Sequence, residues 1–388
     1  MPLIQKGFGL LRLSFLKHPL FKGTLILTLA GIITRLIGFF YKIYLAGQLG
    51  TTQLGIYQLI FPVYSLCFTI YGAGMQTAIS QLIAARQGER KKHSHHPETG
   101  SILRCALAVS LTLALFLSAF VCIFSKAIAR HFLLEEACAP SLCVLSILFP
   151  FCAITACLNG YYYGMERTKV PALTQMVEQL ARVLFVYLIS TFLLTLGKKP
   201  SCELAVAGIV AGEMISNFFI MGCYHFQKIK TVDKTSDGCK KIFKRLMHLA
   251  IPLTATKMIT GILHSAETIL IPGMLKRYGL SADDALSIYG VLTGMAMTFL
   301  TFPSTLTGSC SGLLLPAISQ EQAKQNYKKI SHMIAVTLKY SLLIGLLFIT
   351  LFFLYGPLMG TVFFHNTLCG RFLVILSFLS PFLYLSTT

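Results

Sequence analysis

Ten long apolar runs separated by short polar segments constrain this chain more than any other feature. They fall at about 23–46, 55–85, 101–124, 141–164, 169–195, 204–226, 246–274, 285–316, 330–355 and 371–386. A helix needs about 20 apolar residues to cross the hydrocarbon of a bilayer, and most of these runs supply them. Only 12% of residues are charged, about half the share of a soluble domain. In hydrocarbon, only helices and closed barrels satisfy every backbone N–H and C=O. The short period-two segments of a barrel are missing. The fold class is therefore an all-α polytopic membrane protein.

The segments between the runs set an expected sidedness. Residues 1–22, 86–99, 165–169, 227–245 and 317–329 together carry +14, and the alternate segments 47–54, 125–140, 196–203, 275–284 and 356–370 carry +1. Positive charge stays on the cytoplasmic side, so the N-terminus is expected there. The net charge of +19 then needs no nucleic-acid partner. Residues 1–21, with Lys6, Arg12 and Lys17, read as a basic cytoplasmic or interfacial segment in contact with membrane lipids.

The chain repeats itself. "LSILFPF" (145–151) returns as "LSFLSPF" (376–382), and "GIYQ" (55–58) as "SIYG" (287–290). An even number of runs separates the copies, so they share one orientation. This is a parallel repeat of two helical bundles. The expected organisation is a six-helix lobe at 22–226, a basic cytoplasmic loop at 227–245, and a second lobe of four helices at 246–388. In this register a complete second copy needs about 70 more residues, so the second bundle reads as truncated.

Ionisable residues inside the runs are the candidate functional ones, because each costs about 2.5–3.5 kcal/mol at mid-bilayer. Arg35 and Lys42 are seven apart and share a helix face. Arg35 lies roughly 20 Å along the helix from Lys22, near mid-membrane, where it lines a polar cavity or pairs with a buried acid. Lys42 is close enough to the boundary to snorkel. Glu178 and Arg182 are spaced i,i+4 in the favoured order and read as a structural ion pair. Glu213 is mid-run with no partner in its own helix. Lys257 and Glu267 share a run but face different ways. Glu267 and Glu213 are candidates for ion coupling, with a proton or sodium as the cation.

Enzymatic signals are missing. Neither a G-x-x-x-x-G-K-[ST] phosphate loop nor an H-E-x-x-H zinc site occurs, and the largest loop, about twenty residues, cannot hold a nucleotide-binding domain. No cofactor and no metal is implied. The twelve cysteines lack C-x-x-C spacing and read as small apolar packing residues. His93, His95 and His96 read as a solvated loop.

Three stretches carry a family resemblance: "QLGTTQLGIYQLIFPVYSLCFTIYGAGMQTAISQLIAAR" (48–86), "RTKVPALTQMVEQLARV" (167–183) and "IPLTATKMITGILHSAETILIPGML" (251–275). Together they resemble the stage V sporulation protein B group of the multidrug/oligosaccharidyl-lipid/polysaccharide exporter superfamily, whose relatives include lipid II flippases. The family often has an aspartate in place of Glu267, and the chain departs from the family's pattern in lacking a proline near Gln76 and in lacking the final spans. The resemblance implies two lobes around a central cavity, in a bacterial cytoplasmic membrane. It implies a flippase for an undecaprenyl-type lipid-linked precursor of peptidoglycan, including spore cortex, or of polysaccharide. Arg35, Lys42 and Lys257 are then the expected cavity cations for the anionic head group. Two rivals remain at this stage: a multidrug/cation antiporter of the same superfamily, and an inactive truncated remnant or scaffold.

Overall fold

The computed structural model describes residues 19–90, 99–226 and 239–388, apart from 306, 309–313, 315–317, 319–320 and 323–324. Among the described residues, eight helices are long and apolar enough to cross a membrane. They become nine if the bent pair Glu136–Ser146 and Leu148–Gly164 is one span. The molecule is an all-helical multi-pass membrane protein.

Helix α1 (Pro19–Leu59) is continuous except at Gly50, where φ is 75° and ψ 174°, a conformation open essentially to glycine. Tyr41 before this point and Tyr57 after it both lie within electrostatic reach of Arg182. The chain therefore doubles back at Gly50, and the 47–54 linker expected from the sequence shrinks to one residue. The second arm continues as α2 (Phe61–Phe68), a π-helical turn (Thr69–Ala73) and α3 (Gly74–Arg90). Pro62 sits in the first turn of α2, where its missing N–H costs nothing.

The first half is completed by α4 (Thr99–Ile123), α5 (Ala139–Ser146), α6 (Leu148–Gly164), α7 (Lys169–Thr195) and α8 (Cys202–Phe226). The α5–α6 pair bends by 49°. Helix α6 packs on α3 and α4, while α7 lies against both α8 and α1. The second half contains α9 (Cys239–Arg277), α10 (Ala282–Gly290), a π-helical turn (Val291–Ala296), α11 (Met297–Thr301), α12 (Tyr327–Phe364), α13 (Thr367–Leu376) and α14 (Ser380–Ser386). Asn366 caps α13 by accepting from Cys369 N at 3.0 Å, so α12 and α13 form a tight hairpin on which α14 also packs. Helix α9 lies chiefly along α2, α3 and α4 of the first half.

The halves cross where the second arm of α1 meets α10. A Cβ added at Gly55 would stand 2.1 Å from Leu286 O, and one at Gly290 2.3 Å from Thr51 O. Only glycine at both positions lets the backbones touch. Ser287 Oγ donates to Thr51 Oγ1 at 2.7 Å across the same crossing. Nearby, Cys202 N donates to Gln53 Oε1 at 3.1 Å. Gly50 and the starts of α8 and α10 thus share one end of the bundle. One apolar cluster, including Tyr57, Ile60, Phe149, Leu286 and Phe299, joins both halves there. A second, with Ile83, Leu103, Tyr162 and Leu246, packs α9 against α3, α4 and α6 towards the opposite end.

Helix α9 begins at Cys239, inside the loop expected at 227–245. The remainder of that loop, His93, His95 and His96, and all but the last residues of the 1–21 segment lie outside the described residues.

Candidate functional site

Three helices each carry a largely polar face of the same period. On α1 it is Thr34, Arg35, Gly38, Tyr41 and Lys42; on α7 it is Gln175, Glu178, Gln179 and Arg182; on α9 it is His264, Glu267, Thr268 and Ile271. Spacings of three, four and seven residues put each set on one side of its helix. Polar faces on otherwise apolar helices turn away from lipid. With Tyr57, Gln58 and Ser65 of the second arm and Tyr289, Thr293 and Thr301 of the second half, they enclose one cavity of about 1110 Å³.

The charges in the cavity are not evenly matched. Arg182 bonds Glu178 one turn away on its own helix. His264 Nδ1 stands 3.6 Å from Glu267 Oε2, with both side chains largely exposed. Arg35 and Lys42 line the same space, and the side chain of neither forms an ion pair or hydrogen bond with another described residue. Arg35 also borders a second hollow of about 460 Å³, formed by Leu27, Thr28, Gly31, Ser304, Gly308 and Thr387.

Glu213 on α8 lies behind the α7 face, only 7% exposed. Its carboxyl adjoins Thr155 and Cys152 and is within electrostatic reach of Glu178 and Arg182. Asn217, one turn on, donates to Phe151 O at 3.1 Å and Thr155 Oγ1 at 3.2 Å, which fixes α8 against α6. Lys257 is not among the cavity-lining residues. Its ammonium donates to Ala73 O at 2.8 Å and Thr77 Oγ1 at 3.3 Å. Ala73 ends the π turn, and its carbonyl accepts from both Thr77 Oγ1 and Lys257, which ties α9 to the second arm.

The structure thus brings Arg35, Lys42, Glu178, Arg182 and Glu267 into one cavity, places Glu213 just behind its wall, and sets Lys257 apart. Sequence reasoning passed over His264, Gln58, Gln175, Gln179 and the cavity tyrosines. The signal that finds them is their recurrence with the charged residues at three, four and seven. No group of three or more His, Cys, Asp or Glu side chains suited to a metal ion occurs among the described residues.

The described residues thus form a polytopic helical bundle in two halves around a polar cavity of about 1110 Å³. The Polysaccharide biosynthesis protein family matches residues 20–322, and the chain belongs to that family. Stage V sporulation protein B of Bacillus subtilis (strain 168) is 28% identical over 365 residues, covering 93% of this chain and 70% of that one. Lipid II flippase MurJ of the same organism is 23% identical over 339 residues, covering 84% and 62%. Among solved structures, an inward-facing multidrug resistance MATE family transporter of the MOP superfamily aligns with a TM-score of 0.65. It is 17% identical, with 94% of this chain and 83% of that chain covered. The fold is thus that of the superfamily the sequence resembled.

Proposed function

We propose that this protein moves an anionic lipid-linked cell-envelope precursor across the cytoplasmic membrane by alternating access. One observation carries the reading: Arg35 and Lys42 face a shared cavity with no anionic partner. Arg35 is exposed and Lys42 half-buried; an unpartnered cation among membrane-spanning helices is costly, and a phosphate or pyrophosphate head group relieves that cost. Arginine's planar fork suits it to bidentate phosphate contacts. Lys42 lies roughly 10 Å further along the same face, a second station for the head group. The relatives named as a sporulation protein and a lipid II flippase support this substrate class. Glu178 is already opposed by Arg182, so the cavity lining holds more unpaired cations than unpaired acids among the described residues, which disfavours a cationic drug and the antiporter.

Sidedness follows from the same reading. Dividing the first of the nine candidate spans at Gly50 makes ten. The Gly50 end is then extracytoplasmic and the N-terminus cytoplasmic. Closure at Gly55–Gly290 and at the α9–α3 contact would open one at a time. Glu213 and Glu178 share one guanidinium, so a coupling proton or sodium ion would neutralise the set. The test is depletion of the protein in cells lacking redundant flippases. Extracellular access to lipid-linked precursor is expected to fall as precursor accumulates inside. Unchanged outside access after depletion overturns the reading.

A further inference from the structure

The segment joining α4 to α5 holds the second half of the molecule. Lys276, in the last turn of α9, donates to Leu134 O at 3.0 Å and Glu135 Oε2 at 2.7 Å. Leu134 has φ 57°, a left-handed backbone that a leucine rarely adopts. The receiving carbonyl is therefore presented by a turn that must be held. At the base of this segment, Cys122 Sγ on α4 stands 3.1 Å from Cys143 Sγ on α5. Cys122 is exposed and Cys143 half-buried, whereas Cys67, Cys138, Cys152, Cys157, Cys202 and Cys369 are buried.

We propose that Cys122 and Cys143 form a reversible disulfide that staples the base of this segment and so holds the Glu135–Lys276 latch. Bonding needs an S–S distance of about 2.05 Å, roughly 1 Å closer than the thiols stand. The pair rests on the sidedness proposed above only for where it works: at the extracytoplasmic face, where disulfides persist. One thiolate attacks the disulfide of an oxidised thiol compound or oxidoreductase, and the second resolves the mixed disulfide. The two cysteines give up two electrons and two protons, and the oxidant's disulfide becomes two thiols.

Full-length protein in detergent, treated with oxidised glutathione and then alkylated, provides the test. Mass spectrometry is expected to find a peptide linked through Cys122 and Cys143, with two fewer free thiols per chain. Dithiothreitol should reverse the link, and Cys122→Ser or Cys143→Ser should abolish it. Amide exchange over 124–138 is expected to slow on oxidation in the parent and not in either variant. In cells, a membrane-impermeant maleimide added outside should label the two thiols only after reduction. Two free thiols after oxidation in detergent overturn the pair, and unchanged exchange overturns the staple. Labelling without prior reduction overturns the disulfide in the membrane. No labelling even after reduction overturns the extracytoplasmic placement without touching the pair itself.

Discussion

Arg35 is the residue on which the account turns. Its guanidinium borders both hollows, so any head group passing between them meets it. A hydrogen bond to a charged group contributes about 1.5–3 kcal/mol, about 10- to 100-fold in affinity. Arg35→Ala is expected to weaken binding of an undecaprenyl pyrophosphate-type lipid by that factor, measured by titration in detergent. Arg35→Lys should recover only part of it, because the point charge lacks the fork. The Glu178–Arg182–Glu213 group makes a different prediction. Arg182→Met leaves two carboxyls without their guanidinium and is expected to cost about 3 kcal/mol of stability. Adding Glu178→Gln should restore part of the loss. Strictly additive effects in this double-mutant cycle would show that the two do not act as a pair. The charged members of the site were legible in the sequence because each is costly inside an apolar run. His264, Gln175 and Gln179 were not, since a neutral polar side chain raises little alarm alone. Lys257 stands apart from the cavity lining for a reason the sequence does not carry: which face of α9 meets the second arm depends on packing between distant segments, and the π turn that receives its ammonium leaves no mark in composition.

At the scale of elements, apolar length announced nearly every helix, while breaks in the helices were hidden. The polar run at 47–54 reads as a loop, yet one glycine at positive φ reverses the chain there and leaves Thr51–Leu59 helical. Those freed residues are the ones that cross α10. The close approach at Gly55 and Gly290 predicts that a larger side chain wedges the crossing apart. Gly290→Leu is expected to cost about 1–3 kcal/mol and to open the Gly50 end. Thr51→Cys with Ser287→Cys measures this directly, because the two hydroxyls are 2.7 Å apart. The pair should cross-link readily in the parent background and poorly beside Gly290→Leu. Equal cross-linking in both would mean that the glycines do not set the crossing.

Across the whole molecule, different contacts join the two halves at each end of the bundle. The Gly50 end is held by the α1–α10 crossing and by Lys276 on Glu135. The opposite end is held by Leu246 and Ala250 of α9 packed among Ile79, Ile83 and Leu103. Alternating access requires these contacts to yield in turn, so locking Thr51→Cys to Ser287→Cys should stop transport and reduction should restart it. Whether the unpartnered cations of the cavity carry an anionic lipid head group across is decided in proteoliposomes. Purified protein would be reconstituted with a fluorescent lipid-linked pyrophosphate sugar, and its inner-to-outer leaflet movement followed by quenching from outside. Movement is expected to accelerate with the parent protein and to fall at least tenfold with Arg35→Ala. Movement by Arg35→Ala equal to the parent would contradict that expectation.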